Sequence, residues 1–188
     1  DDPMFFCEVI RTAFRSKRDD CSVEELTAKQ KDIATNAYHL LHYWRVPPGS
    51  LKDGTYNGDA LIAWLEKVKE ICLESGHMDV ALTMVGQVLF YTPPDPDGFW
   101  IHHSAARALN DEKAKEMRTG FQTAVIASRG VYSCTAGEEE QKLASKYHSR
   151  ADEVEDRGYH RFAIIFREVA AFYECEAEMQ ASRAQTDE

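Results

Sequence analysis

The stretch from Leu143 to Tyr173 reads LASKYHSRADEVEDRGYHRFAIIFREVAAFY, and its spacing decides the fold. Before Gly158 the apolar side chains Leu143, Tyr147, Ala151 and Val154 return every three or four residues. After it the same spacing holds for Phe162, Ile165, Phe166, Val169, Phe172 and Tyr173. That is the period of a helix with one buried stripe, not the alternation of a strand. A single glycine leaves room for only a short link, so two long helices, over 138–157 and 159–182, are expected as an antiparallel pair.

Working outward, the same period runs through the rest of the chain. Met4 to Phe14 reads as a first helix. Ser22 with Glu25 and Thr27 with Gln30 have capping-box spacing, so a second helix is expected from Val23 or Ala28, carrying Ile33, Ala37, Leu40, Leu41 and Trp44 inward and stopping before Pro47. A third spans Asp59 to Ser75, with Gly76 placed for a left-handed cap. A fourth, His77 to Tyr91, is apolar around most of its circumference and should be central. Three prolines between Thr92 and Gly98 make a rigid connection. A fifth helix is expected from Phe99 to Leu109, and a sixth, capped by Asn110, from there to Ser128. The predicted class is all-α: about eight helices in antiparallel hairpins forming a compact orthogonal array, with an irregular α-solenoid as the alternative. No repeat of fixed length is present, which favours the array. Residues 1–188 are expected to form one helical domain. The start at Asp1-Asp2-Pro3, running directly into a helical pattern, suggests a piece of a longer chain.

Composition removes several classes of function. With 22 Lys and Arg against 32 Asp and Glu the formal charge is −10, a poor match to nucleic acid, whose phosphates are bound by cations. Apolar runs such as 162–166 are far shorter than the roughly 20 residues that span a bilayer. Residues 138–188 alone hold 13 acidic and 7 basic side chains. The basic group Arg11, Arg15, Lys17 and Arg18 reads either as a patch for phosphate or as cations complementing a helix C-terminus. Cys7, Cys21, Cys72, Cys134 and Cys175 are odd in number and scattered, which suits free thiols in a reducing, cytoplasmic setting rather than a disulfide framework or a zinc knuckle.

The residues with chemical potential form small groups. His39 and His42 sit three apart on one expected helix, as paired metal ligands would, but in an aromatic-rich seam where histidine bonded to backbone or tyrosine is the plainer reading. Glu74 and His77 have the spacing of a carboxylate-bridged iron motif, without a second copy. Asp53 to Asp59 imitates the opening of a calcium loop, yet position twelve, where a bidentate glutamate belongs, is Trp64. Trp100, His102, His103 and Arg107 cluster on the expected fifth helix. Exposed, they would form a recognition patch; buried, Trp100 would be core. Phosphate-loop, nucleophile-elbow, zinc-protease and dinucleotide motifs are absent from the sequence. No metal ligand set and no cofactor is assigned.

At Gly86-Gln87-Val88-Leu89, Asp95-Pro96-Asp97-Gly98-Phe99-Trp100, Ser128-Arg129-Gly130-Val131 and Ala170-Ala171-Phe172-Tyr173-Glu174 the chain resembles an all-helical region of large bacterial multidomain proteins of uncharacterised role. The likeness covers most of residues 3–180. It implies a bacterial, cytoplasmic origin and a module within a bigger chain, and it implies no activity.

Two functions remain from the sequence. One is a non-catalytic helical module for protein interaction or scaffolding, whose partner is another protein or another domain of the same chain. Its free rows would be the acidic outer faces of the last two helices, at Glu174, Glu176 and Glu178, and the segment from Trp100 to Arg107. The other is a helical bundle binding a small ligand or metal, an enzyme included, with a pocket lined by His39, His42, Tyr43 and one or more of Trp100, His102 and His103. The reading favours the first. Homo-oligomerisation is compatible with either.

Overall fold

The computed structural model describes residues 2–18, 27–130 and 137–186. Among them lie eight helices: α1 (Pro3–Ala13), α2 (Ala28–His42), α3 (Gly58–Ser75), α4 (Met78–Leu89), α5 (His103–Asn110), α6 (Lys115–Ala127), α7 (Glu138–Asp156) and α8 (His160–Thr186). The only β pairing among the described residues is an isolated bridge, Ser50 to Tyr56. The all-α, compactly packed class expected from the spacing is what forms.

Local signals set most boundaries. Asp2 accepts from the Met4 N–H at 2.9 Å and Pro3 occupies the first turn of α1. At α2 the capping box is complete: Thr27 Oγ1 accepts from Gln30 N while Gln30 Oε1 accepts from Thr27 N. The Ser22–Glu25 pair lies outside the described residues, as does Val131–Cys134. Gly76 ends α3 at φ 75°. The imitation calcium loop is a polar turn in which Asp53 accepts from the Thr55 N–H and hydroxyl. Gly158, at φ 83°, lets the chain reverse between α7 and α8, with the Tyr159 N–H closing on the Val154 carbonyl at 3.1 Å.

Four expectations need correction. The fifth helix begins at His103, not Phe99: Pro94 and Pro96 hold the chain in a turn that Asp95 and Asp97 close by accepting the Asp97 and Phe99 N–H groups. Asn110 does not cap α6. Its Oδ1 accepts instead from the N–H groups of Arg161 and Phe162, at 2.8 and 3.3 Å, capping α8 from 51 residues away. The stripe of α2 is not buried; only Leu41 is, while Ile33 and Leu40 are exposed. Phe172 likewise faces solvent, because a residue next to the buried Tyr173 is turned about 100° around the helix.

The core is continuous across all eight helices. α7 and α8 pair along their length, with Tyr147 stacked on Tyr173 at 5.7 Å between centroids. α4 is central and crosses α6 at two glycines, Gly86 and Gly120, each set against the other helix's backbone. α1 lies on α3. The basic group of the N-terminal segment is used internally: the Arg18 guanidinium donates to the carbonyls of Leu73 and Glu74 at the C-terminus of α3, and Lys17 pairs with Asp79. His77 is buried between the Ser75 hydroxyl and the Phe14 carbonyl, a structural role.

Candidate functional site

The six residues singled out from the sequence fall in three separate places. Trp100 is half-buried and packs against the core. Its ring packs on Phe166 at 5.5 Å and Phe162 at 6.1 Å, and the Arg150 guanidinium covers its outer face at 4.3 Å. His39 and His42 are exposed on α2. His39 lines an apolar groove, and His42 stacks on Tyr38. His102, His103 and Arg107 border a polar cleft at the start of α5. The groove and the cleft share no lining residue.

The cleft, of ≈ 550 Å³, lies where the N-terminal ends of α3 and α5 meet. Gly58 permits this approach; a Cβ there would press on His102 and Ser104. His102 caps α5, its Nδ1 accepting from Ser104 N at 3.2 Å. His103 is held at both nitrogens: Nε2 is 3.0 Å from Asp97 Oδ2 and Nδ1 is 2.8 Å from the Tyr159 hydroxyl. An ionised carboxylate only accepts, so the neutral ring carries its proton on Nε2 and receives the phenol proton at Nδ1. Arg157 completes the chain, donating to Asp97 at 2.7 Å. The His103 and Arg157 hydrogen bonds, with the Phe99 N–H, hold the Asp97 carboxyl far below the usual carboxylate range. Burial pushes Asp95 up, but the N–H groups of His103 and Asp97 outweigh it and leave its carboxyl below its ordinary value. Burial also raises the Tyr159 phenol against the opposing charge of Arg107, so it stays protonated at neutral pH.

Asp95, Asp97 and His103 bring potential ligand atoms within 4.8 Å of one another. A cation entering there would have to displace Arg157 from Asp97 and break one bond of His103. The arrangement works chemically as a clasp, tying the proline-rich turn to the α7–α8 junction. Asp97, Arg157 and Tyr159 were not found by sequence reasoning; Asp97 lies 60 residues before Arg157 in chain order, and only the Asp97-Gly98 turn gave a local signal.

The clasp has a pH signature. A carboxyl depressed in the folded state contributes stability that is present above its unfolded value, about 3.9, and is lost as pH falls below it. Asp97→Asn is therefore expected to lower the urea midpoint at pH 7 and to approach wild type as pH drops below 4. A gap of constant size from pH 7 to 3 would show that Asp97 ionisation is not coupled to folding.

The apolar groove is larger, ≈ 790 Å³, and lies between α1, α2 and the residues that follow α2. Phe6, Trp44 and Trp64 form its floor, their rings 5.1 to 5.9 Å apart. Phe5, Leu40, Tyr43 and Val46 stand on its rim, exposed by 56, 52, 71 and 55%. Arg45, His39, Asn36 and Asp2 are its polar members. Sequence reasoning placed Leu40 and Trp44 inward as ordinary core and missed the groove, because a helical stripe looks the same whether its cover is its own chain or another.

The acidic face of α8 is less free than its sequence suggests. Glu174 pairs with His148 at 2.8 Å, and Glu176 is 3.6 Å from an Arg129 nitrogen with its side chain half-buried. Comparison with models of known families, with curated proteins and with solved structures finds no match to this chain. No helix among the described residues is long and apolar enough to cross a membrane.

Proposed function

We propose that this chain is a non-catalytic helical interaction module, and that the groove between α1 and α2 receives an apolar helical segment of a protein partner. One observation carries the reading: α2 buries a single side chain of its own, Leu41, and holds Leu40 and Tyr43 out beside Phe5 and Val46. Contiguous apolar surface of this kind mostly marks a site of association. An aromatic floor with an open aliphatic and aromatic rim suits the apolar face of an amphipathic helix, anchored at three- and four-residue spacing. A small molecule would leave Tyr43 and Leu40 uncovered, so the rim favours a protein segment. The net charge of −10 favours basic flanks on that segment through electrostatic steering. A reducing, cytoplasmic setting belongs to the same reading, in keeping with Cys7, Cys72 and Cys175 as free thiols, and a bacterial origin is part of the proposal.

The test is selection from a displayed library of amphipathic helical peptides, followed by titration of the selected peptide. Leu40→Glu and Tyr43→Glu alter exposed side chains, so melting should shift by no more than about 2 °C while affinity falls at least tenfold. Peptides that bind wild type and both variants equally would reject the groove. Sedimentation at rising concentration checks the remaining occupant: a dimer abolished by Tyr43→Glu would mean that a second copy fills it.

A further inference from the structure

We infer that Cys7 and Cys72 are a redox-responsive pair, which a small-molecule disulfide converts into a covalent staple between α1 and α3. The two cysteines are 65 residues apart in the chain, yet their sulfurs lie 3.5 Å from one another, and both side chains are completely buried. A disulfide has an S–S bond of about 2.05 Å, so the sulfurs need to approach by only about 1.5 Å, well within a side-chain rotation. Both helices are regular at these positions and packed together, so the staple joins segments already in place.

The chemistry favours Cys7 as the attacking thiol. The Cys72 thiol donates to the Cys7 sulfur, which shifts Cys7 toward its thiolate against the opposing effect of burial and holds the proton on Cys72. A thiolate attacks a disulfide; a thiol does not. Cys7 takes up one half of the small disulfide, forming a mixed disulfide and releasing the other half as a thiolate. Cys72 then loses its proton, and its thiolate attacks the Cys7 sulfur and expels the second half. The two protons leave on the two small thiols, so one protein dithiol is oxidised and one small disulfide is reduced to two thiols. Burial of both sulfurs makes the step slow in the folded protein and fast during folding or local opening of α1. In a reducing compartment the pair rests as thiols, and an oxidising shift closes it.

The test uses the full chain and oxidised glutathione. Protein unfolded under reducing conditions is refolded at graded ratios of oxidised to reduced glutathione, quenched by alkylation in denaturant, and mapped as peptides. The expected product is 2 Da lighter than the dithiol, with the peptides bearing Cys7 and Cys72 linked and reversed by dithiothreitol. Closing a loop this long should raise the melting temperature by about 5–10 °C over the reduced protein. Cys7→Ser and Cys72→Ser should each abolish both the link and the rise. The inference fails if both cysteines stay alkylatable at every ratio, or if Cys7 stops at the glutathione adduct. It fails equally if either pairs with Cys21, Cys134 or Cys175, or if the linked protein melts lower than the reduced one, since linking would then pull α1 off its seat. None of these outcomes depends on what occupies the groove.

Discussion

Arg129→Ala should cost about 3–5 kcal/mol of stability, because it leaves a carboxylate in the core without its cation. Glu140, in the first turn of α7, has no exposed surface, and Arg129, just after α6, is 11% exposed. The guanidinium bonds Glu140, lies 3.6 Å from Glu176 on α8, and covers the Tyr173 ring at 5.3 Å. Removing it strips the charge that two neighbouring carboxylates share. Burial alone would push Glu140 up, but the hydrogen bond and charge of Arg129, helped by the backbone at its own helix start, hold its carboxyl below the ordinary value. In wild type this contributes stability that is present above about pH 4.3 and is lost as pH falls below it.

The variant should reverse that dependence. With the cation gone, desolvation and the nearby Glu176 raise Glu140, so its ionisation opposes folding as pH rises through the carboxylate range. The gap between wild type and Arg129→Ala should therefore widen from pH 4 to 7 in urea unfolding. The double variant Arg129→Met, Glu140→Leu, which replaces the pair with apolar volume, should recover most of the loss, since a buried ion pair contributes little beyond its apolar substitute. A loss under about 1 kcal/mol for Arg129→Ala, or a gap independent of pH, would mean that the pair is not a buried, coupled one.

Gly86→Ala and Gly120→Ala should each cost about 3 kcal/mol, a drop in melting temperature of about 6–12 °C for a chain this size. Alanine in an exposed helix would stabilise it by up to about 1 kcal/mol over glycine, so the sign of the effect is the test. A Cβ at Gly86 would lie inside the Met117 carbonyl oxygen, and one at Gly120 would lie inside the Thr83 carbonyl oxygen. Both obstacles are backbone, so α4 and α6 can admit a methyl group only by moving apart. That would open the layer formed by Val85, Leu89, Met117 and Phe121, all of which are buried. Thermal melts of the two variants against wild type decide it. Unchanged melting would mean that the crossing is looser than the packing implies.

Periodicity made most of the architecture readable. The α7–α8 pair around Gly158, the central α4 and the capping box at Thr27 were all visible in order, because each depends on residues within one or two turns of one another. The tertiary structure decided what depends on separation along the chain. Asn110 looked like the cap of the next helix and instead caps α8, because a side-chain oxygen accepts from whichever open N–H groups the packing brings to it. Trp100, His102 and His103 are near neighbours in sequence. A turn fixed by proline nevertheless lays the indole against the core and holds the imidazoles at a cleft.

The same division separates the two candidate sites. The clasp needs Asp97, His103, Arg157 and Tyr159, of which only the Asp97-Gly98 turn is marked locally, and the redox pair needs Cys7 and Cys72, which have no local mark; a close contact between distant residues is made by the packing of helices. The groove was hidden for a different reason. Leu40 and Trp44 carry the same hydrophobic signal whether water, another helix or another molecule covers them, and only three-dimensional packing shows that Leu40 has no cover among the described residues. Sequence alone thus determined that this chain is a set of amphipathic rods with a formal charge of −10. Tertiary structure decided which stripes were left uncovered, because burial is a property of what the remaining chain can reach.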